Sequence, residues 1–274
     1  VAGVIFRTTV FLSVGLMMTC SAAFGASPWI VAHRGASHDA PENTVAAFKL
    51  AWEQGADAIE GDFYLTRDRH IVCIHDADTK RVAGEKLSVA QSSLAELRRL
   101  DVGMRKGPKW QGERIPTIDE VLATIPPNKR IFLEIKSGPE IIGPLKEAIA
   151  RAKLRPEQAT FIAFQPAVVA EAKRQLPQVK AFWLTGFKQD KETCQWKPSV
   201  EEVLATLDRI HADGVDCNAH DAIDRCFVDA IREATMEFHV WTVDDPAVAR
   251  RFVQLGVDSI TTNRPAWLRQ SLSL

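Results

Sequence analysis

The sequence predicts an α/β protein, a (β/α)8 TIM barrel with a short insertion after its second strand. Short, nearly continuous apolar runs recur from residue 29 to the end of the chain, and longer amphipathic stretches separate them. Runs of that length are the pattern of parallel strands buried on both faces, and their alternation with helices to a count of eight favours a closed barrel over an open doubly wound sheet. No Gly-x-Gly-x-x-Gly turn follows the first run, which removes the commonest nucleotide-binding form of the open sheet. A chain of 274 residues holds one such barrel, and no linker divides it.

The predicted strands are Trp29 to His33, Ala58 to Asp62, Ile131 to Ile135, Thr160 to Phe164, Ala181 to Leu184, Gly214 to Cys217, Phe238 to Val243 and Ser259 to Thr262. After the first, Val45, Phe48 and Trp52 fall at helical spacing behind an N-cap at Asn43 or Thr44, and Gly55 stops the run. Further helices are expected at about Ile118 to Thr124, Glu140 to Lys153, Ala167 to Gln175, Val200 to Ile210, Asp221 to Glu233 and Pro246 to Leu255. The insertion, about residues 63–128, breaks this rhythm. Phe63 to Thr66 and His70 to Ile74 read as a hairpin turning at Arg67-Asp68, and the polar remainder is expected to lie over the barrel mouth.

Residues 1–26 read as a secretory signal peptide, and 27–274 as the barrel domain. Arg7 precedes an apolar stretch from Val10 to Met18, and small residues follow at Ser21, Ala22, Ala23, Gly25 and Ala26. The stretch falls short of the roughly 20 residues that span a bilayer, so the chain is expected to be exported, periplasmic or secreted, without a stable membrane span. Beyond Cys20, four cysteines remain, and an oxidising compartment allows disulfides. A loop-closing bridge among Cys194, Cys217 and Cys226 is one option, whereas Cys73 lies in an apolar run and reads as core. A net charge of -1 provides no general field for nucleic acid or anionic membrane, so any phosphate recognition has to be local. The oligomeric state is not legible.

The polar residues that interrupt the pattern gather at the C-terminal ends of predicted strands, where barrels of this kind place their active sites. His33 and Arg34 follow the first strand, Glu60 and Asp62 end the second, and Glu134 and Lys136 end the third; His75 closes the hairpin. Glu60 and Asp62, two apart on a strand, share a face, and with Glu134 they make an all-oxygen site suited to Mg2+ or Ca2+. His33 and His75 can divide the proton transfers of phosphodiester hydrolysis, one as acid and one as base. Arg34 and Lys136 can hold phosphate oxygens, and Trp241 can wall the leaving-group side or simply pack. Glu42 can border the same pocket. His38, His70, His211, His220 and His239 lack such company and read as surface or structural.

In this order His33-Arg34-Gly35, Pro41-Glu42-Asn43-Thr44, Glu60-Gly61-Asp62, His75-Asp76, Ile115-Pro116-Thr117, Leu133-Glu134-Ile135-Lys136, Val240-Trp241-Thr242-Val243 and Asp258 to Pro265 resemble the glycerophosphodiester phosphodiesterase family over nearly the whole of residues 27–274. The resemblance implies a TIM barrel that hydrolyses small-molecule glycerophosphodiesters to sn-glycerol 3-phosphate and an alcohol. It also implies a divalent metal on Glu60, Asp62 and Glu134, acid and base at His33 and His75, and phosphate on Arg34 and Lys136. Asn263 stands where many members have an acidic residue before Arg-Pro and reads as a tolerated change; alanine precedes Phe164-Gln165-Pro166 where serine is more usual. Two alternatives stay open: a lipid phosphodiesterase acting on lysophospholipids or phosphosphingolipids, which needs an exposed apolar rim, and a non-catalytic phosphodiester-binding protein, which would lack one of the site residues. The basic insertion, with Arg98, Arg99, Arg105, Lys106 and Lys109, favours water-soluble diesters.

Overall fold

A computed structural model describes residues 27–274; the expected signal segment and Cys20 fall within residues 1–26, outside the described residues. Eight parallel strands form the barrel: β1 (Trp29–Ala32), β2 (Ala58–Leu65), β3 (Arg130–Ile135), β4 (Ala159–Ala163), β5 (Lys180–Thr185), β6 (Gly214–Asn218), β7 (Glu237–Trp241) and β8 (Ser259–Thr262). Each pairs with its sequence neighbour, and β1 pairs with both β8 and β2, which closes the ring.

Helices α1 (Val45–Glu53), α2 (Ile118–Leu122), α3 (Ile142–Arg151), α4 (Pro166–Gln175), α5 (Val200–Arg209), α6 (Arg225–Glu233), α7 (Pro246–Leu255) and α8 (Pro265–Leu272) follow the strands in turn. Local chemistry starts most of them. Thr44, not Asn43, caps α1 by accepting from the Ala47 N–H, Thr117–Glu120 and Ser199–Glu202 form capping boxes, and proline opens α4, α7 and α8. The last helix was not among those expected from the sequence.

Packing divides in two. Val31, Ala58, Phe132, Ile162, Phe182 and Leu184 fill the barrel interior, while a larger apolar layer lies between the strands and the helices. Gly214 is required at the start of β6, because a Cβ there would overlap the Glu237 carbonyl of β7.

The insertion extends β2 into an antiparallel hairpin whose second arm is Ile71–Cys73. Beyond it, Val72, Ile74, Val89, Leu97, Val102 and Ile115 make a small core of their own. This unit sits beside the mouth against the β1–α1 loop, with Lys106 Nζ donating to the Ser37 carbonyl at 2.7 Å. The four cysteines of the described residues are all free, so no bridge joins Cys194, Cys217 and Cys226. Cys217 is buried in β6, while Cys194 and Cys226 are exposed. Among the described residues no helix is long and apolar enough to cross a membrane.

Candidate active site at the barrel mouth

The first turn after β1 is a tight left-handed corner, with Arg34 at φ 55° and Gly35 at φ 79°. A Cβ on Gly35 would stand 2.6 Å from the Ala47 backbone, so glycine lets α1 approach the strand end and fixes where His33 and Arg34 leave it. On β2, Glu60 and Asp62 face the same side, and the parallel register sets Asp62 opposite Glu134 of β3. One carboxylate oxygen from each of the three lies within 4.8 Å of the others, and all three residues are buried.

Cations reach this trio but do not balance it. Arg34 Nε stands 3.1 Å from Asp62 Oδ2, and the Arg34 backbone N–H donates to Glu60 Oε2 at 2.9 Å. Lys136 Nζ pairs with Glu134 Oε1 at 2.7 Å and lies 3.5 Å from Asp62 Oδ1. Asn43 donates to Asp62 Oδ2 at 2.7 Å, so the residue beside the helix cap holds a site carboxylate instead. Even so, Glu60 Oε1 and Asp62 Oδ1 are buried with no hydrogen-bond partner. Burial, with Asp62 and Glu134 beside it, pushes the Glu60 carboxyl well above the usual carboxylate range. Burial and Asp62 raise Glu134 to about 7. Burial would raise Asp62 as well, but Arg34 and Lys136 outweigh it and hold Asp62 below its ordinary value.

Three carboxyls against two cations, with two orphaned oxygens between them, fit a divalent ion that prefers oxygen ligands. A second cluster, Glu237, His239 and Asp258, lies at the opposite end of the barrel. There Lys180 pairs with Glu237, and Arg232 pairs with Asp258 at 2.8 Å, so its charge is already balanced.

Both histidines are held through Nδ1, by different partners. Asn263, just past β8, donates from its amide nitrogen to Asp244 Oδ2 at 2.6 Å, while its backbone N–H donates to Asp244 Oδ1 at 2.8 Å. That fixes the amide orientation. Its Oδ1 then faces His33 Nδ1 at 2.8 Å and accepts from Ser37 Oγ at 2.9 Å. An amide oxygen only accepts, so His33 carries its proton on Nδ1 and presents a bare Nε2, 4.0 Å from Glu60 Oε2. Burial, aided by Arg34, lowers His33 from 6.5 to about 4, so the ring is neutral at physiological pH.

His75 instead sets its Nδ1 2.6 Å from Asp76 Oδ1. Arg81 binds the other Asp76 oxygen at 2.7 Å and holds both oxygens of Glu42, at 2.6 and 2.8 Å. Glu42 in turn reaches Arg34 at 3.1 Å. The Arg81 hydrogen bond is the main cause holding Asp76 down at about 2. The insertion thereby contributes a histidine and, in Asp76 and Arg81, the links that tie it through Glu42 to Arg34.

These groups border a cavity of about 90 Å3. His33, Arg34, Glu60, His75 and Glu134 line one side; Ile162, Leu184, Asp216, Trp241 and Thr242 line the other. Trp241 thus meets the cavity, with Phe164 edge-on to it at 5.6 Å, and its indole N–H donates to the Asp216 carbonyl at 3.2 Å. Lys136, expected to hold phosphate, is not among the lining residues, because its ammonium is drawn back onto Glu134 and Asp62. Arg81, Asp244, Asn263 and Asp216 escaped the sequence reading. Asp244 and Asn263 do share one legible signal, since each follows the C-terminal end of a barrel strand. His239 is buried in the interior, stacked on Phe182 at 4.2 Å, as a structural residue.

The profile of the glycerophosphoryl diester phosphodiesterase family matches residues 33–267. A glycerophosphodiester phosphodiesterase of Caldanaerobacter subterraneus is 32% identical over 243 residues, covering 87% of this chain and 95% of the relative. One of Bacillus subtilis is 27% identical over 251 residues, covering 86% and 83%. A phosphodiesterase of Oleispira antarctica, solved in complex with the product sn-glycerol-3-phosphate, superposes with a TM-score of 0.80 at 24% identity over 90% of this chain and 98% of that one. With the profile spanning most of the barrel and its mouth, the chain belongs to the glycerophosphoryl diester phosphodiesterase family.

Proposed function

We propose that the chain hydrolyses glycerophosphodiesters such as glycerophosphocholine and glycerophosphoethanolamine to sn-glycerol 3-phosphate and an alcohol, in a metal-dependent reaction run by His33 and His75. The observation that carries this reading is the meeting, at one cavity, of two imidazoles each pinned through Nδ1 with an under-neutralised acidic trio. Glu60, Asp62 and Glu134 would hold Mg2+ or Ca2+, which when bound neutralises charge building on the phosphate oxygens.

The histidines divide the proton transfers by their partners. His33, neutral and bare at Nε2, takes the proton from the attacking hydroxyl, whether that is water or the glycerol 2-hydroxyl on a cyclic-phosphate route. His75 gives a proton to the leaving alcohol, since the Asp76 carboxylate is the partner that suits an imidazolium. Arg34 lines the cavity and holds a phosphate oxygen, while Lys136 favours the charged forms of Glu134 and Asp62, against burial at Glu134.

Soluble diesters suit the mouth better than lipids. Of the exposed large apolar side chains, Met104, Phe164, Trp196, Val248 and Trp267, Phe164 is the one set against a cavity-lining residue, Trp241, little surface for an acyl chain. Release of sn-glycerol 3-phosphate from both diesters by the metal-loaded protein, compared with His33→Ala and His75→Ala, tests the reading. Each substitution is expected to lower kcat by about 100-fold or more. Undiminished turnover in either variant removes that histidine from the mechanism. Export rests on the sequence of residues 1–26, and mass spectrometry of the N-terminus of the protein recovered from its host tests it.

A further inference from the structure

The wall of the cavity opposite the acidic trio, made by Ile162, Leu184, Trp241 and Thr242, carries one ionisable group. Asp216 on β6 projects among Ile162, Leu184 and Trp241, is 1% exposed, and leaves its Oδ1 buried without a hydrogen-bond partner. The other buried carboxyls at this mouth have fixed donors: Arg34 for Glu60 and Asp62, and Lys136 for Glu134. Among the described residues Asp216 has neither an ion pair nor a side-chain hydrogen bond, and it stands outside the trio grouped for a metal. In an eight-stranded ring β6 lies across the barrel from β2, so Asp216 faces the Glu60 side over the cavity. A buried polar group left without a partner is costly, and a group of this kind at a cavity wall is matched when a ligand supplies the missing hydrogen bond.

We infer that Asp216 is a specificity-determining residue that binds a hydroxyl of the glyceryl end of the substrate. The inference rests on the proposed function. A diester with its phosphate beside Arg34 and the trio has to send one substituent toward β6, and the cavity there is small, closed by Leu184 and Ile162, with Asp216 as its one ionisable group. A carboxyl answers a hydroxyl in either protonation state, accepting when charged and both donating and accepting when neutral. The aromatic side of the mouth, with Trp241 and the exposed Phe164, leaves the outward direction to the other alcohol. A site built to pair a substrate hydroxyl discriminates strongly against an analogue that lacks it, because its own polar group then stays unpaired.

The test is the ratio of affinities for sn-glycerol 3-phosphate and 1-propyl phosphate, which lacks both hydroxyls, measured calorimetrically on the Mg2+-loaded protein. Wild type is expected to favour the glyceryl compound about tenfold or more, Asp216→Ala to bring the ratio near one, and Asp216→Asn, which keeps the shape and a donor and acceptor, to keep most of the preference. If Asp216→Ala does not fold by circular dichroism, Asp216→Leu takes its place with the same expectation. A wild type that does not distinguish the two ligands overturns the inference, as does an unchanged ratio in the apolar variant. An apolar variant that instead raises KM according to the leaving alcohol, with the ratio intact, assigns Asp216 to the other end of the diester and overturns it too. A wild type that prefers sn-glycerol 3-phosphate yet cleaves no glycerophosphodiester would defeat the proposed function while leaving this assignment standing.

Discussion

The tautomer of His33 is set by a residue 230 positions away, and this explains why the pair of histidines was legible and their division of labour was not. His33, Glu60, Asp62 and Glu134 stand out in the sequence because they are polar residues at the ends of apolar runs. Asn263 stands out only once β8 closes onto β1 and brings its amide to Nδ1, and Asp244 only once it is seen to orient that amide. What read as a tolerated change is therefore a positioning residue. Asn263→Ala is expected to lower kcat by about 100-fold, because the ring loses both its tautomer and its orientation, with little change in affinity for phosphate. An Asn263→Ala enzyme with unchanged kcat would contradict this. In the metal-free protein the His33 ring is expected to titrate near 4 in an NMR titration. Since that value lies below the ordinary 6.5, the unfolded chain takes up the proton first as the pH falls. The contribution of His33 to stability is thus complete above about pH 6.5 and declines between 6.5 and 4. A midpoint at 6.5 would mean that the ring is solvated, and both statements would fail.

At the scale of elements, the strands were readable because each is a short apolar run buried on both faces, and seven of the eight helices because they are amphipathic and capped. The eighth, Pro265–Leu272, hides behind the motif residues Asn263 to Pro265: its proline start reads equally well as the end of the last strand. The hairpin of the insertion was legible from its two short runs and their Arg67-Asp68 turn, whereas Arg81 was not, since a surface arginine on a four-residue helix shows nothing of its bonds to Asp76 and Glu42. The β1–α1 corner gives the sharpest stability test. Gly35→Ala forces a side chain into left-handed backbone and into contact with Ala47, which is expected to destabilise the fold by about 2–4 kcal/mol in urea denaturation. A loss below about 1 kcal/mol would show that α1 can move back without cost. Arg81→Ala is expected to lower kcat by about tenfold while leaving the midpoint of denaturation nearly unchanged, because Arg81 is half exposed and acts through Asp76 and Glu42.

For the whole molecule, barrel closure is what converts residues spread from His33 to Thr261 into one cavity, with Glu60 and Glu134 of the unbalanced acidic trio on its wall and Asp62 buried behind them. The sequence could propose that convergence from strand order, but not the two orphaned oxygens, which depend on how Arg34 and Lys136 divide themselves among three carboxyls. An ion that binds there stabilises only the folded chain. At a hundred times its Kd the gain is about 2.7 kcal/mol, or several degrees in Tm for a chain of this size, and Glu60→Gln is expected to abolish most of it. A Tm indifferent to Mg2+, Ca2+ and chelator would place no ion in the trio. The most direct measurement is the release of sn-glycerol 3-phosphate from glycerophosphocholine and glycerophosphoethanolamine as metal is titrated into chelator-treated protein. Turnover that rises from nothing and saturates at one bound ion per chain is the predicted result. Full turnover in the metal-free protein, or none on either diester when folded and loaded, would contradict it.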